Sequence, residues 1–405
     1  MKPIVRAGRM KPVHSDIRGP LFVEAMKRQK QGIDILKLNT GNPATFGFGL
    51  PDSIKNALME HMQDGVGYCD FKGMPQARQA ICDYETSKGI KGITPDDVFI
   101  GNGVSEVVSF ALTPLLNDGD EVLVPSPSYS LWGNSVYLED GKPVFYTCDE
   151  QANWYPDIQD IRSKITDKTK AIVIINPNNP TGVLYPKELL LEIIQIARES
   201  GLLIFADEIY DRLVMDGKQH ISLASLTEDV PVITLNGLSK SHCLCGYRCG
   251  WMVISGPREL TEDYRQGIIQ LTSLRLCANT MAQIVIPAAL DDMETPASMV
   301  RPGGRIYEQR EATVRELEKI DGLSFVKNDA AFYVFPKLDV KKFNITNDKQ
   351  FAHDLLDATN ILLVPGSGFD WKDPDHFRIV MLPQADILSD AIRRMGTFLD
   401  VYKQK

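Results

Sequence analysis

The chain has 405 residues, with 44 lysines and arginines against 53 aspartates and glutamates, so its formal net charge is −9. This acidic balance excludes the basic surface that binding to nucleic acid or to an anionic membrane requires. The length predicts two or three units of ~100–200 residues each. No apolar run reaches the ~18 residues of a membrane-spanning helix, and the start MKPIVRAGRMKP lacks the apolar stretch of a secretory signal.

Seven cysteines are scattered along the chain, and an odd, dispersed set favours reduced thiols and a cytoplasmic location. Three of them, Cys243, Cys245 and Cys249, form a C-x-C-x3-C cluster. Zinc sites usually combine a C-x2-C element with a second pair of ligands, and no such pair follows this cluster. We therefore predict no metal site and interpret these residues as small side chains near a glycine.

Strand and helix patterns alternate from about residue 95 to 255, which predicts a largely parallel sheet. Residues 96–116 have the pattern of a strand, a glycine loop and a helix. A second helix is predicted over 186–201, where apolar pairs recur at helical spacing between Pro186, suited to the first turn, and Gly201, suited to the C-terminal cap. Short apolar runs predict strands at 121–127, 142–148, 171–176, 201–208, 230–237 and 249–255.

The pattern changes after about residue 296. A charged helix is followed by an alternating run, a helix, the strand ILLVPG and a terminal helix, which together predict a smaller α+β lobe. The segment TPASMVRPGG (295–304) is the candidate boundary, and the N-terminal segment is too short to fold alone. We therefore predict a large domain over 50–295 and a small domain made of 1–49 and 296–405.

Polar residues directly follow several of the predicted strands. In parallel sheets, ligands bind beyond the carboxyl ends of the strands, so these residues are candidates for one site. A glycine loop before a helix also offers backbone amides to an anion. The candidates are Gly103-Val104-Ser105, Asn176 to Asn179, Asp207 to Tyr210, and Ser239-Lys240.

These residue types suit a particular chemistry. A lysine activated by burial can form a Schiff base with a carbonyl group. An aspartate at the neighbouring strand end can keep a pyridinium nitrogen protonated, which lets a pyridoxal ring withdraw electrons. The set, without a cluster of metal ligands, therefore matches a pyridoxal phosphate site.

Four segments carry a resemblance to a known family: NPNNPTG (176–182), ADEIY (206–210), GLSKSHCLCGYRCGW (237–251) and HFRIV (376–380). In this order they resemble the class I aminotransferases of the fold type I pyridoxal phosphate family. Similarity extends through DIRGP, LNTGNPATFGF, GYCDFKG and WKDPDHFRIVMLP to bacterial glutamate–pyruvate (alanine) aminotransferases. The resemblance implies an α/β fold, with a mostly parallel seven-stranded sheet between helices and a smaller α+β domain.

The resemblance also implies roles toward the cofactor, pyridoxal 5'-phosphate. Lys240 would bind it covalently and move the substrate proton, and Asp207 would pair with the pyridinium nitrogen. Tyr210 and Asn179 would bond the ring oxygen, and Tyr129 would stack on the ring. The residues implied to hold the phosphate are Arg248, the amides of Val104 and Ser105, and Ser239.

Substrate and subunit contacts are implied in the same way. Gly41 and Arg378 would hold the substrate carboxylate together with Asn179, while Arg18 is either a further substrate contact or a loop anchor. Tyr68 would reach the phosphate from the other subunit of a homodimer with shared sites. The family often has tyrosine where HSDIRGP has Ser15, and arginine where this chain has Cys243. These departures bear on substrate preference and leave the cofactor residues unchanged.

We predict an aminotransferase that moves an amino group between an L-amino acid and a 2-oxo acid, with alanine/pyruvate and glutamate/2-oxoglutarate as the implied pair. A carbon–sulfur β-lyase would share every cofactor residue. A non-catalytic effector-binding module of the same fold would require an attached DNA-binding domain, and no basic helical segment precedes residue 40.

Overall fold

The computed structural model describes residues 3–405. Its strands are β1 (Leu36–Lys37), β2 (Val98–Asn102), β3 (Glu121–Ser126), β4 (Lys142–Asp149), β5 (Tyr155–Pro156), β6 (Thr169–Ile175), β7 (Leu203–Asp207), β8 (Val232–Gly237), β9 (Cys249–Ser255), β10 (Leu323–Ser324), β11 (Tyr333–Val334), β12 (Lys337–Leu338), β13 (Ile361–Leu362), β14 (Val364–Pro365) and β15 (Phe377–Val380).

Its α-helices are α1 (Pro20–Lys30), α2 (Asp52–His61), α3 (Pro75–Ser87), α4 (Val104–Leu112), α5 (Leu131–Leu138), α6 (Ile158–Lys164), α7 (Lys187–Ser200), α8 (Leu238–Ser241), α9 (Arg258–Arg275), α10 (Thr280–Ile284), α11 (Ile286–Asp291), α12 (Glu294–Val300), α13 (Arg305–Leu317), α14 (Val340–Phe343), α15 (Asp348–Thr359) and α16 (Ala385–Leu399).

The main sheet has the strand order β2-β9-β8-β7-β6-β3-β4-β5. The pairs β3/β4, β3/β6, β6/β7 and β7/β8 are parallel, whereas β9 runs antiparallel to both β2 and β8. Since two reversals restore the direction, β2 runs the same way as β8. The carboxyl ends of β2, β6, β7 and β8 therefore lie at one edge, as the sequence predicted.

Both faces of the sheet are covered, because successive side chains of a strand point to opposite faces. In β7, Ile204 and Ala206 belong to one buried apolar cluster and Phe205 to another. Helix α7 covers the first of these faces with Leu190, Ile193 and other buried residues. This two-sided burial explains why the strands appear in the sequence as continuous apolar runs.

Two details differ from the sequence predictions. The sheet has eight strands and not seven, because Tyr155–Pro156 folds back after a short turn and pairs antiparallel with the end of β4. A two-residue strand that contains proline has too little apolar pattern to be recognised. Pro186 is the residue before the first turn of α7, whereas Gly201 does form the left-handed C-terminal cap.

The C-terminal region builds three small sheets with a core of its own. Strand β1, from the N-terminal segment, pairs parallel with β13, and Leu38 packs into that C-terminal core. These contacts join the N-terminal segment to the C-terminal region, and the division into domains 50–295 and 1–49 with 296–405 stays a prediction. No single helix within 3–405 has the length and apolar character to cross a membrane, although α9 with the following bent helical segment passes that test on length and composition alone.

Candidate active site

Lys240 lies in the short helix α8, three residues beyond the last residue of β8. Its Nζ donates a hydrogen bond to the carbonyl oxygen of Gly41 at 3.1 Å, which joins the N-terminal segment to this strand end. Burial alone lowers the pKa of Lys240, but the neighbouring Tyr333, Cys245 and Tyr129 outweigh it, so the pKa lies above the usual lysine value. Burial therefore does not activate this amine in the way that the sequence analysis supposed.

Asp207 is the last residue of β7, and it is 5% exposed. One carboxylate oxygen accepts a hydrogen bond from Trp132 Nε1 at 3.1 Å, and the other accepts one from the amide of Ile209 at 3.4 Å. Burial raises the pKa of this carboxyl to about 6. No cation within residues 3–405 lies at ion-pair distance, so the site offers a buried acid that a cationic ligand atom would stabilise.

Arg378 in β15 is 1% exposed and lies between the rings of Tyr333 and Phe369, with its guanidinium carbon 4.6 Å from each ring centroid. It donates to Asn179 Oδ1 at 2.9 Å and to the carbonyl oxygen of Asn39. Its Nε has no hydrogen-bond partner. This is a buried cation with free donors in a position that favours a planar anion.

Asn179 and Tyr210 stand beside this arginine. Because Asn179 Oδ1 accepts from Arg378, its amide nitrogen is left to donate. The hydroxyl of Tyr210 lies 2.9 Å from that of Tyr333, and burial raises the pKa of Tyr210 well above its usual value. The amide of Asn179 is therefore a free donor for an oxygen atom of a ligand, and the phenol of Tyr210 is a second donor when Tyr333 donates the hydrogen bond between the two hydroxyls.

The start of α4 forms a cradle of backbone amides. Gly103 precedes the helix with φ of 84°, and no side chain of the described chain caps it. A Cβ on Gly103 would lie 2.3 Å from Arg248 Nη2, and one on Gly250 would lie 2.4 Å from the amide nitrogen of Val104. Only glycine leaves room here, so the Arg248 guanidinium lies beside the start of α4, where the amides of Val104 and Ser105 are suited to bind an anion.

The remaining predicted residues are less enclosed. Ser239 precedes Lys240 and is partly buried, and Tyr129 is 37% exposed. Tyr68 is 84% exposed, and Arg18 is exposed without a hydrogen bond or ion pair to any other described residue. Within one chain the structure thus does not bring Tyr68 or Arg18 into contact with the other candidates, and their roles stay predictions.

Three residues of the site were missed by sequence reasoning. Trp132 reaches Asp207 from α5, Tyr333 contacts both Tyr210 and Arg378, and Asn39 supplies a carbonyl to Arg378. Trp132 lies three residues after Tyr129, and this closeness to a predicted site residue is the only signal that the sequence carries for it. Tyr333 lies in an apolar run where an aromatic residue is usually a packing residue, so its sequence context carried no signal.

The raised pKa of Asp207 predicts how the cofactor-free protein responds to Asp207→Asn. A carboxyl whose pKa rises from 3.8 to about 6 on folding destabilises the protein once ionised, and this cost appears as the pH rises between those values. The stability of Asp207→Asn relative to the parent should therefore grow by about 2 kcal/mol between pH 4 and pH 7 in urea unfolding. Asp211→Asn is the control. The pKa of Asp211 is lowered, so the stability of this variant relative to the parent should not grow over the same pH range.

The comparisons with known proteins agree with this arrangement. Residues 33–392 match the family model described as aminotransferase class I and II. The chain is 50% identical over 404 residues to the glutamate–pyruvate aminotransferase AlaA of Haemophilus influenzae and 47% identical to that of Escherichia coli, covering 100% of both chains in each case.

Solved structures give the same result. A crystal structure of an aminotransferase from Escherichia coli superposes with a TM-score of 0.98 at 47% identity over 100% of both chains. The alanine aminotransferase of Pyrococcus furiosus superposes with a TM-score of 0.93 at 41% identity, over 98% of this chain and 100% of that one. The chain therefore belongs to the class I and II aminotransferase family.

Proposed function

We propose that the chain is a pyridoxal phosphate-dependent aminotransferase that exchanges an amino group between alanine and 2-oxoglutarate. The observation that carries the proposal is the joint presence, at one sheet edge, of a lysine, a buried carboxylate without a cation and a buried arginine without an anion. The names of the relatives support the substrate pair, since they are called glutamate–pyruvate and alanine aminotransferases.

The residues present fit pyridoxal phosphate. The amide cradle of Val104 and Ser105, with Arg248 and Ser239 beside it, suits a phosphate dianion. The buried Asp207 suits the protonated ring nitrogen, and the free donors of Asn179 and Tyr210 suit the ring oxygen. When bound, this cofactor withdraws electrons from the substrate α-carbon and carries the amino group between the two half-reactions.

The chain's own residues then have separate tasks. Lys240 Nζ removes a proton from the α-carbon of the substrate and delivers it to the cofactor. Asp207 keeps the ring nitrogen protonated, while Trp132 Nε1 holds its carboxylate in place. Arg378 orients the substrate through its α-carboxylate, which alanine and glutamate share.

The test is a titration of the purified protein with single amino donors. We expect a visible absorption band of the lysine-bound cofactor, which alanine and glutamate convert to the amine form in stoichiometric amounts. Absence of the band after incubation with pyridoxal phosphate contradicts the cofactor, and conversion by other donors only contradicts the substrate pair. Release of ammonia with pyruvate from a cysteine conjugate would instead identify the β-lyase.

Lys240→Ala should abolish transamination, because it removes both the amine that binds the cofactor covalently and the base that moves the proton. Cofactor should still be retained through the phosphate cradle, which equilibrium dialysis can measure. Lys218→Ala, at an exposed ion pair with Asp329, is the control and should keep the parent rate. Near-parental activity of Lys240→Ala contradicts the role.

Arg378→Lys should raise the Michaelis constants of both alanine and 2-oxoglutarate by about tenfold to a hundredfold, since an ammonium group cannot make two parallel hydrogen bonds to a carboxylate. The spectrum without substrate should stay unchanged. If both substrates saturate the variant as readily as the parent, Arg378 is not the carboxylate clamp.

We also propose a homodimer in which Tyr68 serves the partner's site. Tyr68 is exposed within a run of exposed apolar side chains that also includes Met59, Met62 and Val66. Leu274 and Leu276 are also exposed. They lie close to this run in space, because Arg275 between them donates to the carbonyl oxygen of Phe71 at 3.2 Å. An apolar patch of this kind marks a protein interface, and a second copy of the chain is the occupant that the Tyr68 assignment requires.

Mixed dimers test the shared site. A dimer of one Lys240→Ala subunit and one Tyr68→Phe subunit should contain one site with both changes and one site with neither. Half of the sites should therefore turn over like the parent, measured on purified, differently tagged hybrids. If every hybrid site shows either one defect or the other, Tyr68 acts within its own chain.

A cytoplasmic location remains a prediction. It is supported by the seven cysteines, all of which are free thiols in the structure.

A further inference from the structure

A compact group of buried charges lies directly behind Asp207 and Tyr210. Glu208 and Asp211 each follow one of these residues in the chain, and both are buried. Because neighbouring side chains near a strand end point to opposite faces, the carboxylate of Glu208 faces away from that of Asp207. Its partners confirm this: Ser222 Oγ and the amide of Leu223, on the far face of the sheet, donate to it at 2.9 and 3.0 Å.

One ammonium group holds these carboxylates together. Lys88, the residue after α3, places Nζ 2.7 Å from Glu208 Oε2, 3.2 Å from Asp211 Oδ2 and 2.8 Å from Glu85 Oε2. Its side chain is only 13% exposed. Burial alone lowers the pKa of Lys88, but the three carboxylates raise it well above its usual value, so the ammonium is charged throughout the neutral range.

Neutral donors complete the set. Asp211 Oδ2 accepts from the hydroxyl of Tyr84 at 2.6 Å and from Asn236 Nδ2 at 2.7 Å, while Glu85 Oε1 accepts from Trp251 Nε1 at 3.2 Å. Such a dense group of partners is required, since a buried carboxylate without them is very costly.

The charges are nearly balanced only because Lys88 is present. Burial raises the pKa of Glu85 and lowers the pKa of His220. Glu208 and Asp211 are the two carboxylates that adjoin Asp207 and Tyr210 in the chain. Facing them are Lys88 and, across the ring of Tyr84, the Arg212 guanidinium, which lies 4.3 Å from the ring centroid and is bonded to the carbonyls of Ala289 and Leu290.

The same group touches three neighbouring strand ends of the active site. Asp211 and Glu208 extend from β7, Asn236 lies in β8 four residues before Lys240, and His220 Nε2 lies 3.1 Å from the carbonyl oxygen of Asn176 after β6. Glu208, Asp211 and His220 approach each other as metal ligands do, but Lys88 Nζ already supplies the cation beside the two carboxylates.

We infer that Lys88 is a positioning residue of the active site, which holds Glu208 and Asp211 and thereby the main chain that carries Asp207 and Tyr210. The inference rests on the proposed cofactor. Lys88 does not touch substrate or cofactor in this role. Its removal leaves two carboxylates one residue from Asp207 and Tyr210 without their nearest cation, so that the chain there shifts and the negative potential at the cofactor site increases.

The test compares full-length Lys88→Met with the parent and with Lys91→Met. Lys91 is three residues away and pairs with Glu228 at the surface, so its variant is a matched control. In Lys88→Met we expect the dissociation constant of the cofactor to increase about tenfold, which means weaker binding. We also expect kcat to fall and the Michaelis constant of alanine to change little. The pH midpoint of the visible cofactor band should rise by about 0.5–1 unit, because added negative potential favours the protonated form.

A double-mutant cycle identifies the route. If Lys88 acts through Asp211, the variant Lys88→Met/Asp211→Asn should be no worse in cofactor affinity than Lys88→Met alone. Lys88→Gln, which keeps a hydrogen-bond donor but no charge, replaces Lys88→Met if the latter does not fold.

The inference is overturned if the Lys88 variants lower only the melting temperature of the cofactor-free protein and keep the parent's cofactor affinity and pH midpoint. A parent protein without any cofactor band contradicts the proposed function instead, so the two failures are distinguishable.

Discussion

Two buried charges without ionic partners dominate this molecule. The carboxylate of Asp207 and the guanidinium of Arg378 are both inside the protein, and no described residue of opposite charge lies at ion-pair distance from either. Burying an unpaired charge is costly, so the surrounding structure must compensate with oriented neutral groups. Trp132 does so for Asp207, while Asn179, the Asn39 carbonyl and two aromatic rings do so for Arg378. This compensation is incomplete. A cationic ligand atom beside Asp207 and a carboxylate beside Arg378 would complete it.

Keeping these charges in place requires three distant parts of the chain. The N-terminal segment supplies the carbonyl groups of Asn39 and Gly41 to Arg378 and Lys240. This segment is held by the pairing of β1 with β13. Strand β14 follows β13 in the chain and pairs with β15, which carries Arg378. The N-terminal segment and the C-terminal region therefore meet at Arg378.

The two faces of the main sheet have different tasks at the same edge. On one face, Asp207 accepts a hydrogen bond from Trp132, which belongs to a buried apolar cluster. Burial there raises the pKa of Asp207. On the other face Glu208 belongs to the charged group around Lys88. Alternation along a single strand end thus places two carboxyl groups in different surroundings, although the two residues are adjacent in the chain. The charged group joins helix α3 to three strand ends.

The sequence by itself determined the alternation of strands and helices, the common edge of the four strand ends and the segments that identify the family. These features depend on local apolar periodicity and on residues that follow a strand directly, such as Asp207 and Lys240, so they can be read from neighbours in the chain. Tertiary structure alone decided the contacts of Trp132, Tyr333, Asn39 and Lys88, the pairing of β1 with β13 and the eighth strand. Each of these joins residues far apart in sequence or too few to form a pattern. The burial that raises the pKa of Asp207, and the neighbours that raise the pKa of Lys240, come together only when those distant segments pack.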